Sequence, residues 1–241
     1  MTAYFFVLGV GLLAGAVSGV IGTGSSLMLL PVLVFSFGPK QAVPIMAFAA
    51  ILANISRVMA WCHEIDWKAW AAYSVTGIPA AALGARTLWS LPSAFVDIAL
   101  GVFFLLMIPT RRWIESKKLQ LRLWQLSIAG GAIGFLTGVV LSTGPLSVPV
   151  FTAYGLTKGA FLSTEAATSL MLYISKAVTF RELGALPADI IVKGAIVGSS
   201  LMAGTFLAKR LVQRMSVVTF RFTLDLLLLV SGISLLWTAL H

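Results

Sequence analysis

Apolar runs separated by short polar connections set the plan of the chain. Crossing a bilayer takes about 20 consecutive apolar residues in a helix, and the first half offers apolar runs over 4–21, 25–37, 41–61, 67–89 and 94–108. The run over 25–37 is short. Before it stands Gly22-Thr23-Gly24-Ser25-Ser26, itself preceded by glycines at four-residue spacing, Gly11, Gly15 and Gly19. In water this stretch would be a loose glycine-rich loop. Between apolar helices it predicts a helix broken at membrane depth, where bare backbone survives only if buried in protein or lining a cavity. Transporters place substrate at such breaks, because helix N-termini there aim N–H groups at an anion.

The pattern then begins again. Gly130, Gly134 and Gly138 repeat the glycine spacing, and Ser142-Thr143-Gly144-Pro145 stands where Thr23-Gly24-Ser25 stood. Gly155, Lys158 and Ala160 match Gly38, Lys40 and Ala42, and Ile174-Ser175-Lys176 matches Ile55-Ser56-Arg57. The offset stays within 117–119 residues throughout. The expected architecture is all-α, a polytopic transmembrane helical bundle of two related repeats, 1–110 and 124–241, joined by a basic cytoplasmic linker, 111–123. About eight spanning helices are expected, broken or re-entrant near Gly22 and Gly24 and near Thr143 and Gly144.

Composition narrows the class. The 241 residues are 59% hydrophobic and only 10% charged, with a mean hydropathy of +0.99; soluble domains carry about 25% charge. An integral membrane protein follows, and the 22 glycines suit close helix packing in lipid. One cysteine, Cys62, excludes an intrachain disulfide, and His63 and His241 are the only histidines, so no metal-ligand set or cofactor is expected. Motifs for ATP hydrolysis or for serine or zinc hydrolases are absent. The apolar N-terminus lacks the basic residues of a secretory signal and reads as the start of the first helix.

Lys and Arg number 17 against 8 Asp and Glu. Cytoplasmic loops collect such residues; a basic path for an anion is the sharper reading. Nucleic acid is excluded as a partner, because the charges lie at helix ends rather than on one soluble face. If the two halves are inverted and 109–122 is cytoplasmic, twelve of the seventeen cations fall inside and five outside; parallel halves give ten and seven. The inverted arrangement obeys the positive-inside rule better and puts both termini outside.

Candidate chemistry collects in the repeated segments. Thr23, Gly24, Ser25 and Ser26, then Ser142, Thr143 and Gly144, furnish hydroxyls and backbone at the two breaks, although serine and threonine also bond their own helix backbone. Asn54, Ser56 and Arg57 are matched at offset 119 by Tyr173, Ser175 and Lys176. An arginine fork and a lysine point charge at equivalent places would hold an anion; the alternative is two interfacial cations snorkelling to lipid headgroups. Glu165 is the acidic residue deep in the apolar segment 161–178. It could carry a proton for coupled transport, or serve as a structural partner of Lys158 or Lys176, with Thr168 and Ser169 bonding either it or substrate. Arg221 and Asp225 are spaced as an intrahelical pair, and Arg181 and Glu182 as a solvated loop pair.

Gly22-x-Gly24-Ser25-Ser26-x4-Pro31 followed by Gly38-Pro39-Lys40-Gln41-Ala42-Val43, with a degenerate second copy over 130–160, resembles the signature of the sulfite exporter TauE/SafE family. Ile65-Asp66-Trp67 and Gly84-Ala85-Arg86 resemble it too, so the likeness covers nearly the whole chain. Ser25 and Ser26 replace glycines usual in that motif, and Gly144-Pro145 replaces several in the second copy. The resemblance implies a multi-pass permease of the bacterial cytoplasmic membrane with two related halves, for small anions, above all sulfite, sulfonates and other sulfur-containing organic anions; two repeats about central breaks are expected to work by alternating access. It leaves substrate, direction and coupling ion open, and the oligomeric state too, a homodimer included. The rival readings are a non-transporting membrane assembly or anchor protein and an anion channel.

Overall fold

A computed structural model describes residues 2–21, 25–92, 120–140 and 143–208, with isolated residues at 98, 102, 105, 106, 109, 110, 113, 229 and 233. The described elements are α-helices plus one short 3-10 turn. The first half holds α1 (Thr2–Ile21), α2 (Ser25–Phe37), α3 (Pro39–Trp61) and α4 (Trp67–Ser90). The second holds α5 (Leu123–Val140), α6 (Gly144–Tyr154), α7 (Lys158–Glu182) and α8 (Ala188–Ala208). The expected helix over 94–108, most of the linker 111–123, and the closing helix over 219–236 with Arg221 and Asp225 lie outside the described residues, isolated positions apart.

Local signals set the boundaries. Gly38 adopts φ +75, a region glycine enters freely, and Pro39 fits the first helical position, so α3 begins two residues before the expected start. Gly155, at φ +108, closes α6. Asp66 caps α4 by accepting from the Lys68 and Ala69 amides at 3.0 and 2.9 Å. At 13 and 11 residues, α2 and α6 rise only about 20 and 16 Å, short of a hydrocarbon core about 30 Å thick.

Three stretches, Gln41–Met59, Leu123–Val140 and Ala188–Leu207, are long and apolar enough to cross a membrane by length and composition. The expected eight crossings are not all visible by that measure. The long α7 carries Lys158, Glu165, Lys176, Arg181 and Glu182, charges that lower its hydropathy; of these, Glu165 and Lys176 are buried inside the bundle.

Small residues bring the helices together. On α1, a Cβ at Gly11, Gly15 or Gly19 would run into Ser200, Leu201 or Thr205 of α8, in ascending order, so α1 and α8 run the same way. On α5, Gly130, Gly134 and Gly138 meet Tyr73, Gly77 and Ala81 of α4 in the same sense. Gly194 and Gly198 of α8 meet Phe48 and Leu52 of α3. The Trp70 indole of α4 donates to the Ala167 carbonyl of α7 at 3.3 Å, and two turns on the Ser175 hydroxyl donates to the Ile78 carbonyl at 2.8 Å. Because α3 packs along α7 and ends where α4 and α7 begin, it runs opposite to both. Thus α1, α3 and α8 point one way and α4, α5 and α7 the other.

The polar connection 62–66 docks on the start of α7. The Asp66 amide donates to Thr164 Oγ1 at 2.9 Å, and the Glu64 carboxylate lies against Gly159, where any Cβ would overlap it. An acidic group in that place also favours a helix N-terminus.

Candidate functional site

One cluster of interior polar residues lies where α3 crosses α7, beside the first turn of α6. Near the end of α3, Asn54 and Arg57 lie one turn apart and so on one face. Both are buried, at 2% and 6% exposure. The Asn54 side-chain amide donates to the Ala50 carbonyl at 2.8 Å, which leaves its Oδ1 to accept from Arg57 Nη2. Arg57 Nη1 donates to Glu165 Oε2 at 2.8 Å. The other carboxylate oxygen, Oε1, accepts from Ser169 Oγ at 2.8 Å and shares the Ser147 hydroxyl, 3.3 Å away, with the Gly144 carbonyl at 2.9 Å. Glu165 is 2% exposed. Its charge also reaches the buried phenols of Tyr73 and Tyr173, and the Tyr173 side chain is hydrogen-bonded to that of Ser26. The start of α2 therefore faces the same centre.

This pairing corrects one expectation. Glu165 pairs with Arg57 from the first half and not with Lys176; the Lys158 side chain lies outside the described residues. Helical spacing singles out partners on the same helix, whereas Arg57 is brought in by the crossing of two helices. Thr168 bonds backbone carbonyls at Thr164 and Glu165, and of the pair Thr168 and Ser169 it is Ser169 that reaches the carboxylate.

A second station surrounds Lys176, which is fully buried. Its ammonium donates to the Thr137 carbonyl at 2.8 Å and lies 5.4 Å from the centre of the Phe180 ring. Thr137 is in the last turn of α5, where helix carbonyls lack partners and a cation is favoured. The Thr137 hydroxyl bonds that of Thr143, at the start of α6. No carboxylate among the described residues forms an ion pair with Lys176. Arg57 and Lys176 therefore hold their side chains inside the bundle and not at its surface. Glu165 and Lys176 are eleven residues apart on α7, about 16 Å along the axis, so the two cations form separate stations.

The remaining site candidates divide. Ser25, Ser26 and Thr143 are buried at the breaks; Gly144 opens α6. There the Leu146 and Ser147 amides donate to the Thr143 carbonyl at 2.8 and 3.0 Å and Pro145 has no N–H, so the second break presents hydroxyls more than amides. Ser56 bonds its own helix at the Ala53 carbonyl, and Ser175 bonds α4; neither hydroxyl is directed to the Arg57–Glu165 centre. Thr23, Gly24 and Ser142 lie outside the described residues, as does Gly22. Arg181 and Glu182 do not pair with each other: Glu182 meets exposed Arg86 at 3.4 Å, and Arg181 donates to the Leu186 carbonyl at 2.9 Å. Ser147, Thr137 and Tyr73 are the additions. The first two stand beside the second break, and that nearness was their only sequence signal.

The family model for the sulfite exporter TauE/SafE matches residues 7–235. The chain belongs to the sulfite exporter TauE/SafE family. Its members are membrane transporters, so the TauE/SafE chain is a multi-pass membrane protein, and its buried ionic centre lies inside a permease. No curated protein and no solved structure matches the chain.

Proposed function

We propose that this TauE/SafE protein is a secondary transporter for a small oxyanion, most specifically sulfite or a sulfonate, in a bacterial cytoplasmic membrane. The observation that carries the reading is the buried Arg57–Glu165 centre, built from α3, α6 and α7 beside a helix too short to cross. Fixed charge inside a membrane bundle is costly and marks a substrate or ion path. Arg57 and Lys176 supply the positive charge for the anion. The hydroxyls of Ser25, Ser26 and Thr143 and the backbone at Gly144 belong to the proposed substrate path, with Asn54 and Tyr173 beside them; Thr23, Gly24 and Ser142, and the repeat-matched Ser56 and Ser175, join it by their place in the sequence alone.

Alternating access comes from two inverted repeats, 1–110 and 124–241, rocking about this centre. Three features support the inversion. The repeat-equivalent helices α1 and α5, α3 and α7, and α4 and α8 run in opposite directions. The glycine faces of α1 and α5 each pack on the other half, on α8 and α4. The α3–α7 crossing lies between the two. The linker 111–123 is cytoplasmic in this arrangement.

Glu165 carries the coupling proton. The groups facing it are Arg57 and Asn54 from α3, Ser147 from α6, Tyr73 from α4, and Ser169 and Tyr173 from α7. Replacing it by glutamine removes pH-driven accumulation and leaves passive exchange; unchanged driven transport would sink the coupling role.

Reconstituted liposomes test the whole reading. Sulfite flux should saturate with concentration and compete with sulfonates. Flux that rises linearly makes the protein a channel, and no flux with sulfite, sulfonates or carboxylates favours an assembly or anchor role.

A further inference from the structure

The Glu165 carboxylate already sits where an oxyanion would be bound. Arg57 Nη1 and Ser169 Oγ donate to it, each at 2.8 Å, Ser147 Oγ shares its one hydrogen between the Gly144 carbonyl at 2.9 Å and this carboxylate at 3.3 Å, and Asn54 fixes the other arm of the Arg57 fork. Three helices thus direct donors at two carboxylate oxygens. The repeat gives this arrangement no counterpart. Lys176 is the equivalent of Arg57, but 119 residues before Glu165 stands Met46, buried in α3. One cation station contains a resident anion. The other has none among the described residues. Packing alone does not account for the difference, because a buried ion pair stabilises no better than well-fitted apolar side chains.

We propose that the Glu165 carboxylate is a tethered stand-in for the transported anion. It holds Arg57, Ser147 and Ser169 in register in the empty protein, and the substrate displaces it from Arg57. The substrate class follows from the donors. Two oxygens on one face of the anion are needed, one for Arg57 Nη1 and one for the flanking hydroxyls, as sulfite, a sulfonate head group or a carboxylate provides. The inference rests on the anion-transport reading of the same centre. It also couples occupancy to motion, since the pair being opened joins a first-half helix to a second-half helix.

The test is sulfite affinity of the detergent-purified full-length protein and two variants, measured by calorimetry. Glu165→Gln removes the competing charge and should bind sulfite at least about tenfold more tightly, which corresponds to 1.4 kcal/mol. Glu165→Asp keeps the charge but withdraws it by one methylene, so it should tighten binding by a smaller factor; it carries the test if the glutamine variant does not fold. Unchanged or weaker binding in a folded variant, with sulfite still bound by the unaltered protein, overturns the stand-in role alone. Absence of sulfite binding in all three overturns it together with the anion reading.

Discussion

Arg57 and Glu165 meet at 2.8 Å although 108 positions separate them in the chain, and each is almost wholly buried. The pair is a tie between α3 and α7 as well as a charge centre. Removing one member leaves the other charge uncompensated in a dry interior, at a cost of about 3–5 kcal/mol. Arg57→Ala should therefore lower thermal stability in detergent by that order. The double variant Arg57→Met with Glu165→Leu should recover most of the loss, because no lone charge remains. A double variant no more stable than Arg57→Ala would show that the charges themselves, rather than their mutual compensation, hold the helices.

The glycine contacts predict a second pattern. A Cβ at Gly15 would collide with the Leu201 backbone, and one at Gly134 with the Gly77 backbone, so neither clash can be relieved by turning a side chain. Gly15→Ala and Gly134→Ala should each cost about 1–3 kcal/mol. Gly9 has nothing within 4 Å of such an atom, and Gly9→Ala should change stability by less than about 0.5 kcal/mol. Thermal unfolding of the three variants side by side checks the ranking.

Much of this packing was legible beforehand. The recurring glycines at 11, 15 and 19 and at 130, 134 and 138 marked two close-packed faces, and the bounds of α2 follow directly from the break before Ser25 and the turn at Gly38. The offset of 119 residues picked out Arg57 and Lys176 as equivalents. What it could not give was the partner of either. Pairing of Arg57 with Glu165 depends on how two antiparallel helices cross, and periodicity along one helix says nothing of the level at which another meets it. The same reason hid Arg86 as the partner of Glu182. Ser147 escaped notice because its neighbours in sequence are apolar; its role arises from α6 standing beside α7.

Ser74 offers a test of the interior unrelated to charge. It lies on the face of α4 between Trp70 and Ile78, both hydrogen-bonded to α7, and it is 2% exposed. Its own hydroxyl has no hydrogen-bond partner among the described residues. A buried polar group left unpaired costs about 1–3 kcal/mol. Ser74→Ala should accordingly raise the unfolding temperature, and Ser74→Val should not, since its extra methyl groups must enter a packed seam. A fall in stability for the alanine variant would mean that the hydroxyl is satisfied in the membrane, by water or by substrate.

Lys176 separates a structural role from a transport role most sharply. Its ammonium satisfies the Thr137 carbonyl at the end of α5 and faces the Phe180 ring, which is a cap and a packing contact. It is also a buried amine with no carboxylate against it among the described residues, where carrying a charge is costly. Lys176→Met keeps the apolar stem and removes the charge. If the charge is retained for the anion, the variant should fold with stability equal to or above that of the unaltered protein, while saturable sulfite flux in liposomes is lost. If the charge serves only as the α5 cap, stability should fall by about 1 kcal/mol, the worth of one such hydrogen bond, and flux through the folded fraction should persist. Measuring unfolding temperature and flux on the same preparation distinguishes the two, because the roles move the readouts in opposite senses.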